Sequence, residues 1–188
     1  MTKIRDENIN TKEWWDVRHK NSEQNGGITA QFERFFEIGF VPFDKPINLL
    51  DVGCGQVLYV KDFEEKNKYQ NINFHALDIS SEVATKNKGL SSKVTTYTLD
   101  ISKEEIPGIF DYIVSMHSFE HFDDPVIALN KCLKACTGRV IICVPYADAW
   151  GGDDSHVHKF TPEDPFTGYE SYHILNSEEI FFVFKGLA

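Results

Sequence analysis

LLDVGCGQ, residues 49–56, decides how this 188-residue sequence folds. An apolar run, residues 47–52, precedes the two glycines, and residues 57–63 after them can start a helix. A short apolar run of this kind is typical of a buried parallel strand. Gly53 and Gly55 allow a sharp turn and leave no Cβ in the way of a ligand. The stretch therefore predicts a strand, a glycine turn, and a helix whose N-terminus faces a bound group.

Two classes of cofactor-binding protein use such a turn. A nucleotide-dependent oxidoreductase needs a third glycine where this sequence has Leu58, so its fingerprint is incomplete. The stretch instead resembles the first motif of class I S-adenosylmethionine (SAM)-dependent methyltransferases. This resemblance implies that Gly53, Cys54 and Gly55 lie against the amino-acid part of SAM. It also implies that Asp51, at the end of the strand, helps to orient that part.

Two later apolar runs end in acidic residues, Asp78 and Asp100. A carboxylate at the first position can accept hydrogen bonds from both ribose hydroxyls, as in dinucleotide folds. The alternatives are that Asp78 caps the next helix and that Asp100 is a solvated turn residue. By resemblance to the methyltransferase motifs, Asp78 binds ribose and Asp100 binds adenine. The residues that follow them, Ile79 and Ile101, are also assigned to SAM binding.

Strand and helix patterns alternate from residue 46 to residue 145, which predicts an α/β fold with a doubly wound, mostly parallel sheet. The resemblance implies a Rossmann-like sheet of seven strands, closed by an antiparallel hairpin near residues 171–184. The crossovers near 102–108 and 146–170 look too short or too broken for helices. We expect a single domain: an N-terminal helical cap (1–40), a SAM-binding core (46–145), and a substrate-side loop with the closing hairpin (146–188).

The segment TKEWWDVRHK, residues 11–20, predicts a short helix with Thr11 as its N-cap. Its tryptophans either attach this helix to the core or have a role at the cofactor. The latter follows from a W-W/Y-D-x-R element that precedes the first motif in many small methyltransferases and closes over the methionine end of SAM. On this resemblance, Trp15 and Arg18 are assigned to SAM binding.

The segment after the fourth strand carries most of the candidate catalytic residues. FDYIVSMHSFEHFDDP, residues 110–125, resembles the fourth methyltransferase motif and assigns Ser115 and Met116 to the cofactor. Spacings of three and four residues would place His117, Glu120 and His121 on one face of a helical turn.

His156 and His158 follow the fifth strand, and the parallel arrangement brings their loop close to this turn. Imidazoles with one carboxylate can hold a divalent metal, here through His117, Glu120, His121 and His156. This set is similar to the E-x-x-E-H plus distant histidine of metal-dependent methyltransferases. The alternatives are a metal-free base, His121 or a tail histidine, and no catalytic role at all.

The composition of the chain limits the kinds of partner that it is expected to bind. The formal net charge of −10 argues against a nucleic-acid backbone as partner. No signal-peptide core and no bilayer-spanning apolar run occur in the sequence, so we expect a cytoplasmic protein, monomer or homodimer, without a membrane partner. The four cysteines are expected to be reduced thiols.

The sequence therefore predicts a SAM-dependent methyltransferase for a small molecule, with oxygen as the preferred acceptor atom and SAM, with or without a divalent metal, as cofactor. Two alternatives are a non-catalytic SAM-binding or partner-subunit protein and a nucleotide-dependent oxidoreductase.

Overall fold

The computed structural model describes residues 1–5, 7–21, 28–39, 41–42, 44–147, 153–163, 166, 168–175 and 177–188. Over these ranges the chain alternates strands and helices. The strands are β1 (Thr2–Lys3), β2 (Ile47–Val52), β3 (Ile72–Asp78), β4 (Val94–Thr98), β5 (Phe110–Met116), β6 (Cys136–Pro145), β7 (His158–Lys159), β8 (Ser171–Leu175) and β9 (Glu179–Lys185). The helices are α1 (Lys12–Asn21), α2 (Ile28–Ile38), α3 (Leu58–Glu65), α4 (Ser81–Leu90) and α5 (Pro125–Lys134), with a short 3-10 turn at Phe119–His121.

Seven of the strands form one sheet in the order β4-β3-β2-β5-β6-β9-β8. The five strands from β4 to β6 in this order are parallel, whereas β9 is antiparallel to both β6 and β8. This arrangement confirms the predicted doubly wound, mostly parallel sheet with a closing hairpin. The strand order reverses between β2 and β5, and in such sheets ligands bind at the carboxyl ends of the strands beside this point.

Both faces of the sheet are covered, which explains why β2 is apolar along almost its whole length. Leu50 and Val52 belong to a core cluster that includes buried residues of α5. Leu49 points to the other face and belongs to the cluster formed with α2 and α3. A strand buried on two faces needs a continuous apolar run rather than an alternating one.

Thr11 has the contact expected of the predicted N-cap of α1, because it accepts a hydrogen bond from the Trp14 N–H at 3.2 Å. A glycine after a helix pattern indicates a helix end, but α5 ends at Lys134 and Gly138 lies inside β6. A Cβ at Gly138 would lie 2.4 Å from the backbone oxygen of Asp111, so glycine is required by the close approach of the neighbouring strand.

Two connections between strands lack a helix in their described residues, as predicted. No helix joins β4 to β5, and the described residues between β6 and β8 contain only β7. This two-residue strand pairs antiparallel with β1, a second sheet that the sequence did not reveal. Among the helices described here, none combines the length and the apolar character needed to cross a membrane.

Candidate functional site

A cavity of about 1350 Å³ lies at the carboxyl ends of β2 to β5. It is lined by every residue that the sequence assigned to cofactor binding, catalysis or metal binding, except two. Ser115 is buried, and its hydroxyl donates a hydrogen bond to the Val52 carbonyl oxygen at 2.8 Å, so it joins two strands. His158 lies in β7 and donates its Nε2–H to the Asp123 carbonyl oxygen at 3.2 Å. Neither side chain lines the cavity, so the structure gives both residues structural hydrogen bonds, and their functional assignments stay predictions.

The glycine turn follows β2 and is shaped by protein contacts as well as by the cavity. Gly53 has a φ of +68° and Gly55 a φ of +51°, in the region that favours glycine. A Cβ at Gly53 would lie 2.2 Å from the Ser118 hydroxyl oxygen, which donates a hydrogen bond to the Gly53 carbonyl oxygen. Ser118 occupies the space beside the Gly53 backbone, so a contact within the protein also requires the missing Cβ at this position.

Asp78 lies at the end of β3, and its carboxylate is hydrogen-bonded to the glycine turn. Its carboxylate accepts hydrogen bonds from the backbone N–H groups of Gly55 at 3.0 Å and Ser80 at 2.9 Å. Helix α4 is capped by the Ser80 hydroxyl, which accepts from the Val83 N–H, so the alternative of Asp78 as helix cap is wrong. Burial raises the pKa of Asp78, although the two N–H donors oppose the shift.

A fully buried amide that the sequence analysis missed completes the turn. Asn87 of α4 donates from Nδ2 to the Gly55 carbonyl oxygen at 2.9 Å and accepts at Oδ1 from the Val57 N–H at 3.1 Å. These two bonds tie the turn and the start of α3 to α4. The backbone of the turn is therefore fixed before any ligand binds.

Asp51, at the end of β2, is only 3% exposed. The Tyr59 hydroxyl donates to its Oδ2 at 2.8 Å, and within the described residues its Oδ1 is buried without a hydrogen-bond partner. Burial raises the pKa of Asp51 to about 7, against the lowering effect of the Tyr59 hydrogen bond. An unsatisfied buried carboxylate oxygen on a cavity wall is suited to a hydrogen-bond donor on a ligand.

Asp100 follows β4 and faces the same cavity. Burial alone would raise its pKa, but hydrogen bonds from Lys103 and Ser102 outweigh it and lower the pKa. Because β4, β3 and β2 are neighbours in that order, Asp100, Asp78 and Asp51 mark three successive strand ends along one edge of the sheet. The edge thus offers carboxylates in a row to an extended ligand.

Helix α1 packs beside this row mainly through polar and aromatic contacts. Asp16 accepts a hydrogen bond from the Ser80 hydroxyl at 2.6 Å, and Arg18 forms an ion pair with Asp153 at 3.1 Å. Trp15 packs edge-on against His121, with ring centroids 5.1 Å apart. His19 is the buried residue of the helix. The tryptophan therefore contacts the predicted catalytic turn, which favours the site-covering alternative over simple attachment to the core.

The turn after β5 places a buried carboxylate beside two imidazoles. Glu120 is 1% exposed, and neither of its carboxylate oxygens has a hydrogen-bond partner within the described residues. His117 Nδ1 lies 3.7 Å and His121 Nε2 lies 3.8 Å from Glu120 Oε1. His121 Nδ1 lies 3.0 Å from the Ser155 carbonyl oxygen and must carry the proton there. In neutral His121 the Nε2 lone pair therefore faces Glu120.

The four predicted metal ligands separate into two groups. Potential ligand atoms of Glu120, His121 and His156 all lie within 4.8 Å of one another, whereas His117 groups instead with Cys143 and Glu179. The prediction that His117 shares a face with Glu120 and His121 is wrong because the 3-10 turn begins only at Phe119.

A left-handed backbone at His117, φ +51°, directs its ring toward β9. There Nε2 donates to Glu179 Oε1 at 2.9 Å. Burial alone would lower the pKa of His117, but the two nearby carboxylates, Glu120 and Glu179, raise it to about 9. The raised pKa favours the protonated ring, so His117 would have to lose that proton before it could bind a metal.

Comparison with known proteins identifies the class. Residues 50–139 match the sequence model of the family described as a methyltransferase domain. Ajmaline N-methyltransferase of Rauvolfia serpentina is 33% identical over 131 residues, covering 66% of this chain and 41% of that protein. The chain thus spans less than half the length of the curated relative that it matches.

Solved structures agree in fold. The N-methyltransferase NodS of Bradyrhizobium japonicum, in complex with S-adenosyl-L-homocysteine (SAH), has a TM-score of 0.67 at 11% identity, covering 95% of this chain and all of that chain. A TehB-like SAM-dependent methyltransferase of Corynebacterium glutamicum has a TM-score of 0.63 at 17% identity, covering 93% and 95%. Residues 50–139 thus match a methyltransferase domain, and the chain has the fold of class I SAM-dependent methyltransferases, which supports the resemblance found in the sequence. The cofactor that this fold implies is SAM.

Proposed function

We propose that the protein transfers the methyl group of SAM to a small-molecule acceptor. The observation that carries this proposal is the row of three acidic strand ends along one cavity, with an unsatisfied oxygen on Asp51. Asp51 would receive the ammonium of SAM, Asp78 the ribose hydroxyls, and Asp100 the adenine amino group. A carboxylate has about four acceptor positions, so Asp78 can bind ribose while keeping its two backbone donors.

The two alternatives without methyl transfer, a nucleotide-dependent oxidoreductase and a non-catalytic SAM-binding protein, have less support. Leu58, the first residue of α3, occupies the position where a dinucleotide fingerprint has its third glycine for close packing of the helix on the strand, so that fingerprint is incomplete. A SAM-binding protein without catalysis would not need the buried carboxylate and imidazoles that occupy the end of the cavity beside β5. The cytoplasmic location, the absence of a nucleic-acid partner and the monomeric or homodimeric state remain predictions.

We infer that the acceptor atom is an amine nitrogen rather than the oxygen that the sequence analysis preferred. One observation supports the change: N-methyltransferases are among the similar proteins. Glu120 can bind an amine, because its two carboxylate oxygens are buried without a hydrogen-bond partner in the described residues. His117 lowers the pKa of Glu120 despite its burial, which favours the ionised carboxylate. Such a carboxylate accepts a hydrogen bond from an amine N–H and equally from an alcohol O–H, so it does not by itself select nitrogen.

Bound SAM supplies a methyl group on a sulfonium, which needs an aligned nucleophile rather than further activation. The protein's part is mainly to hold the acceptor in line, since proximity and orientation lower the barrier. Glu120 would accept one N–H and leave the nitrogen lone pair for attack. After attack, the nitrogen has a surplus proton, and Glu120 or His121 Nε2 can take it.

The first experiment measures SAH binding by calorimetry in the wild-type protein and in Asp78→Ala. Loss of charge-assisted bonds to ribose should raise Kd at least tenfold, since each is worth about 1.5–3 kcal/mol. The matched control is Asp111→Ala, which removes a carboxylate that also accepts a backbone N–H, from Asn48, but outside the cavity. A protein that does not bind SAM or SAH contradicts the proposed function; equal Kd values in both variants contradict the role of Asp78.

The second experiment assays methyl transfer from labelled SAM to paired small amines and alcohols of the same carbon skeleton. We expect labelled product from amines. Product from alcohols alone would reverse the choice of acceptor atom, and the absence of product with every acceptor class would favour the non-catalytic alternative.

A divalent metal remains a second candidate for the group Glu120, His121 and His156, because one buried carboxylate and two buried imidazoles converge there. These residues would hold the ion, and the ion would polarise an acceptor and lower its pKa. The comparisons give no support for a metal. If one binds, elemental analysis of protein prepared without a histidine tag should find about one ion per chain. His156→Ala should lose it and His117→Ala should keep it. Chelator-treated protein with full activity and no metal would exclude this candidate and leave Glu120 as a metal-free acceptor.

A further inference from the structure

Tyr59 is a buried residue that has no functional assignment from the sequence motifs. It lies in the first turn of α3, is 2% exposed, and both lines the cavity and hydrogen-bonds to Asp51 Oδ2. Its ring stacks on Phe32 of α2 with centroids 3.7 Å apart and planes 12° apart. This stack fixes the ring, so the hydroxyl has one position relative to the carboxylate.

Because Tyr59 donates to only one of them, the two carboxylate oxygens of Asp51 differ in their hydrogen bonding. Oδ2 is occupied by the phenol, whereas Oδ1 is buried without a hydrogen-bond partner in the described part of the chain. A carboxylate held at one oxygen by a rigid donor cannot rotate freely, so the other oxygen is preorganised for a ligand. A tyrosine hydroxyl also favours the ionised form of the carboxylate to which it donates.

We propose that Tyr59 is a positioning residue for SAM: its hydroxyl orients Asp51 and keeps it ionised, so that Oδ1 can accept the ammonium group of the cofactor. This inference rests on the proposed function, because it assigns the amino-acid end of SAM to Asp51. It adds a residue from α3, outside the motifs that the sequence analysis used.

The surroundings of Asp51 favour its protonated form, which is why a hydrogen bond that favours the ionised form matters. Burial and the neighbouring carboxylate of Asp78 both raise the pKa of Asp51, and the Tyr59 hydrogen bond is the interaction that lowers it. Cys54, in the glycine turn, also faces Asp51, and burial raises the pKa of its thiol far enough to keep it neutral. The pKa of Asp51, about 7, is higher than that of an ordinary aspartate, so removing the hydroxyl should raise it further.

The test is the pH dependence of SAH affinity, measured by calorimetry between pH 5.5 and 8.5. In the wild-type protein the affinity should rise with pH as Asp51 ionises. In Tyr59→Phe the midpoint of this rise should move up by about one pH unit, since a bond to a charged group is worth about 1.5–3 kcal/mol and one unit is 1.36. Below the midpoint, Kd should be about tenfold weaker than in the wild type, and the two curves should approach each other at high pH.

Two further variants separate this role from packing. Tyr69→Phe removes another hydroxyl of the same aromatic cluster, one that donates to Glu33 outside the cavity, and should leave the midpoint unchanged. Asp51→Asn should remove the pH-dependent rise altogether. A Tyr59→Phe protein that binds with a uniform loss at every pH, or with no loss, overturns the inference. Failure of the wild-type protein to bind SAH would instead overturn the proposed function.

Discussion

Glu120→Gln is expected to lower the turnover number by about 10²–10⁴, the usual contribution of a positioned proton acceptor. Glutamine keeps the shape of the side chain but cannot accept the proton that the acceptor must lose. The Kd for SAH should stay within about twofold of the wild-type value, because Glu120 follows β5 and lies beyond the row of acidic strand ends proposed to hold the cofactor. Labelled methyl transfer and calorimetry on the same preparation measure both quantities.

The matched control is Glu33→Gln, which changes a partly buried carboxylate bound to Lys68 and Tyr69, away from the cavity. It should keep both turnover and affinity. Full turnover in Glu120→Gln would contradict the role of Glu120. An equal loss of turnover and SAH affinity would show that Glu120 contributes to the cofactor site rather than to the acceptor.

Gly53→Ala is expected to destabilise the protein by about 2–5 kcal/mol. About 1–2 kcal/mol arises from a left-handed backbone with a Cβ, and a further ~1–3 kcal/mol from overpacking against Ser118. Such a loss is a large part of the total stability of a domain, about 5–15 kcal/mol. Urea denaturation of the variant and the wild type gives the difference directly.

Ser118→Gly turns this prediction into a double-mutant cycle. Glycine at position 118 removes both side-chain atoms that a Cβ at Gly53 would meet, at 2.2 and 2.5 Å. Gly53→Ala should therefore cost about 1–3 kcal/mol less in the Ser118→Gly background than in the wild type. Additive effects would show that the backbone conformation alone, and not the contact with Ser118, requires glycine.

The central part of the fold was predictable because local pattern and global topology agree there. The apolar run before Gly53 can be buried on both faces only within a parallel sheet, and acidic residues that follow such runs must meet at one edge. Pairing of β1 with β7 was not predictable, since two-residue strands carry no periodicity. A glycine after a helix pattern indicates a helix end, but Gly138 is required by the close approach of the Asp111 backbone, which the local sequence does not reveal.

The site was predictable where it depends on strand ends and not where it depends on packing. Asp51, Asp78 and Asp100 could be placed because each ends or follows an apolar run. The position of His117 was predictable only in part: its Nδ1 does lie 3.7 Å from Glu120 Oε1, but its Nε2 contacts Glu179 of β9, because the backbone at His117 is left-handed. Tyr59 and Asn87 appear as ordinary helix positions. Their roles depend on how α3 and α4 pack against the glycine turn, which no local pattern contains.

The attachment of the N-terminal segment has a consequence for the order of events during synthesis. Asn10 donates hydrogen bonds to the carbonyl oxygens of Ser155 and His121, the former 145 residues further along the chain. Arg18 likewise reaches Asp153. The ribosome releases the glycine turn and the acidic strand ends before the segment that anchors α1. Contacts this distant in sequence form late, so in a nascent chain α1 can contact α4 first, through Asp16 and Ser80, and it binds residues 153–155 only after translation has passed Ser155.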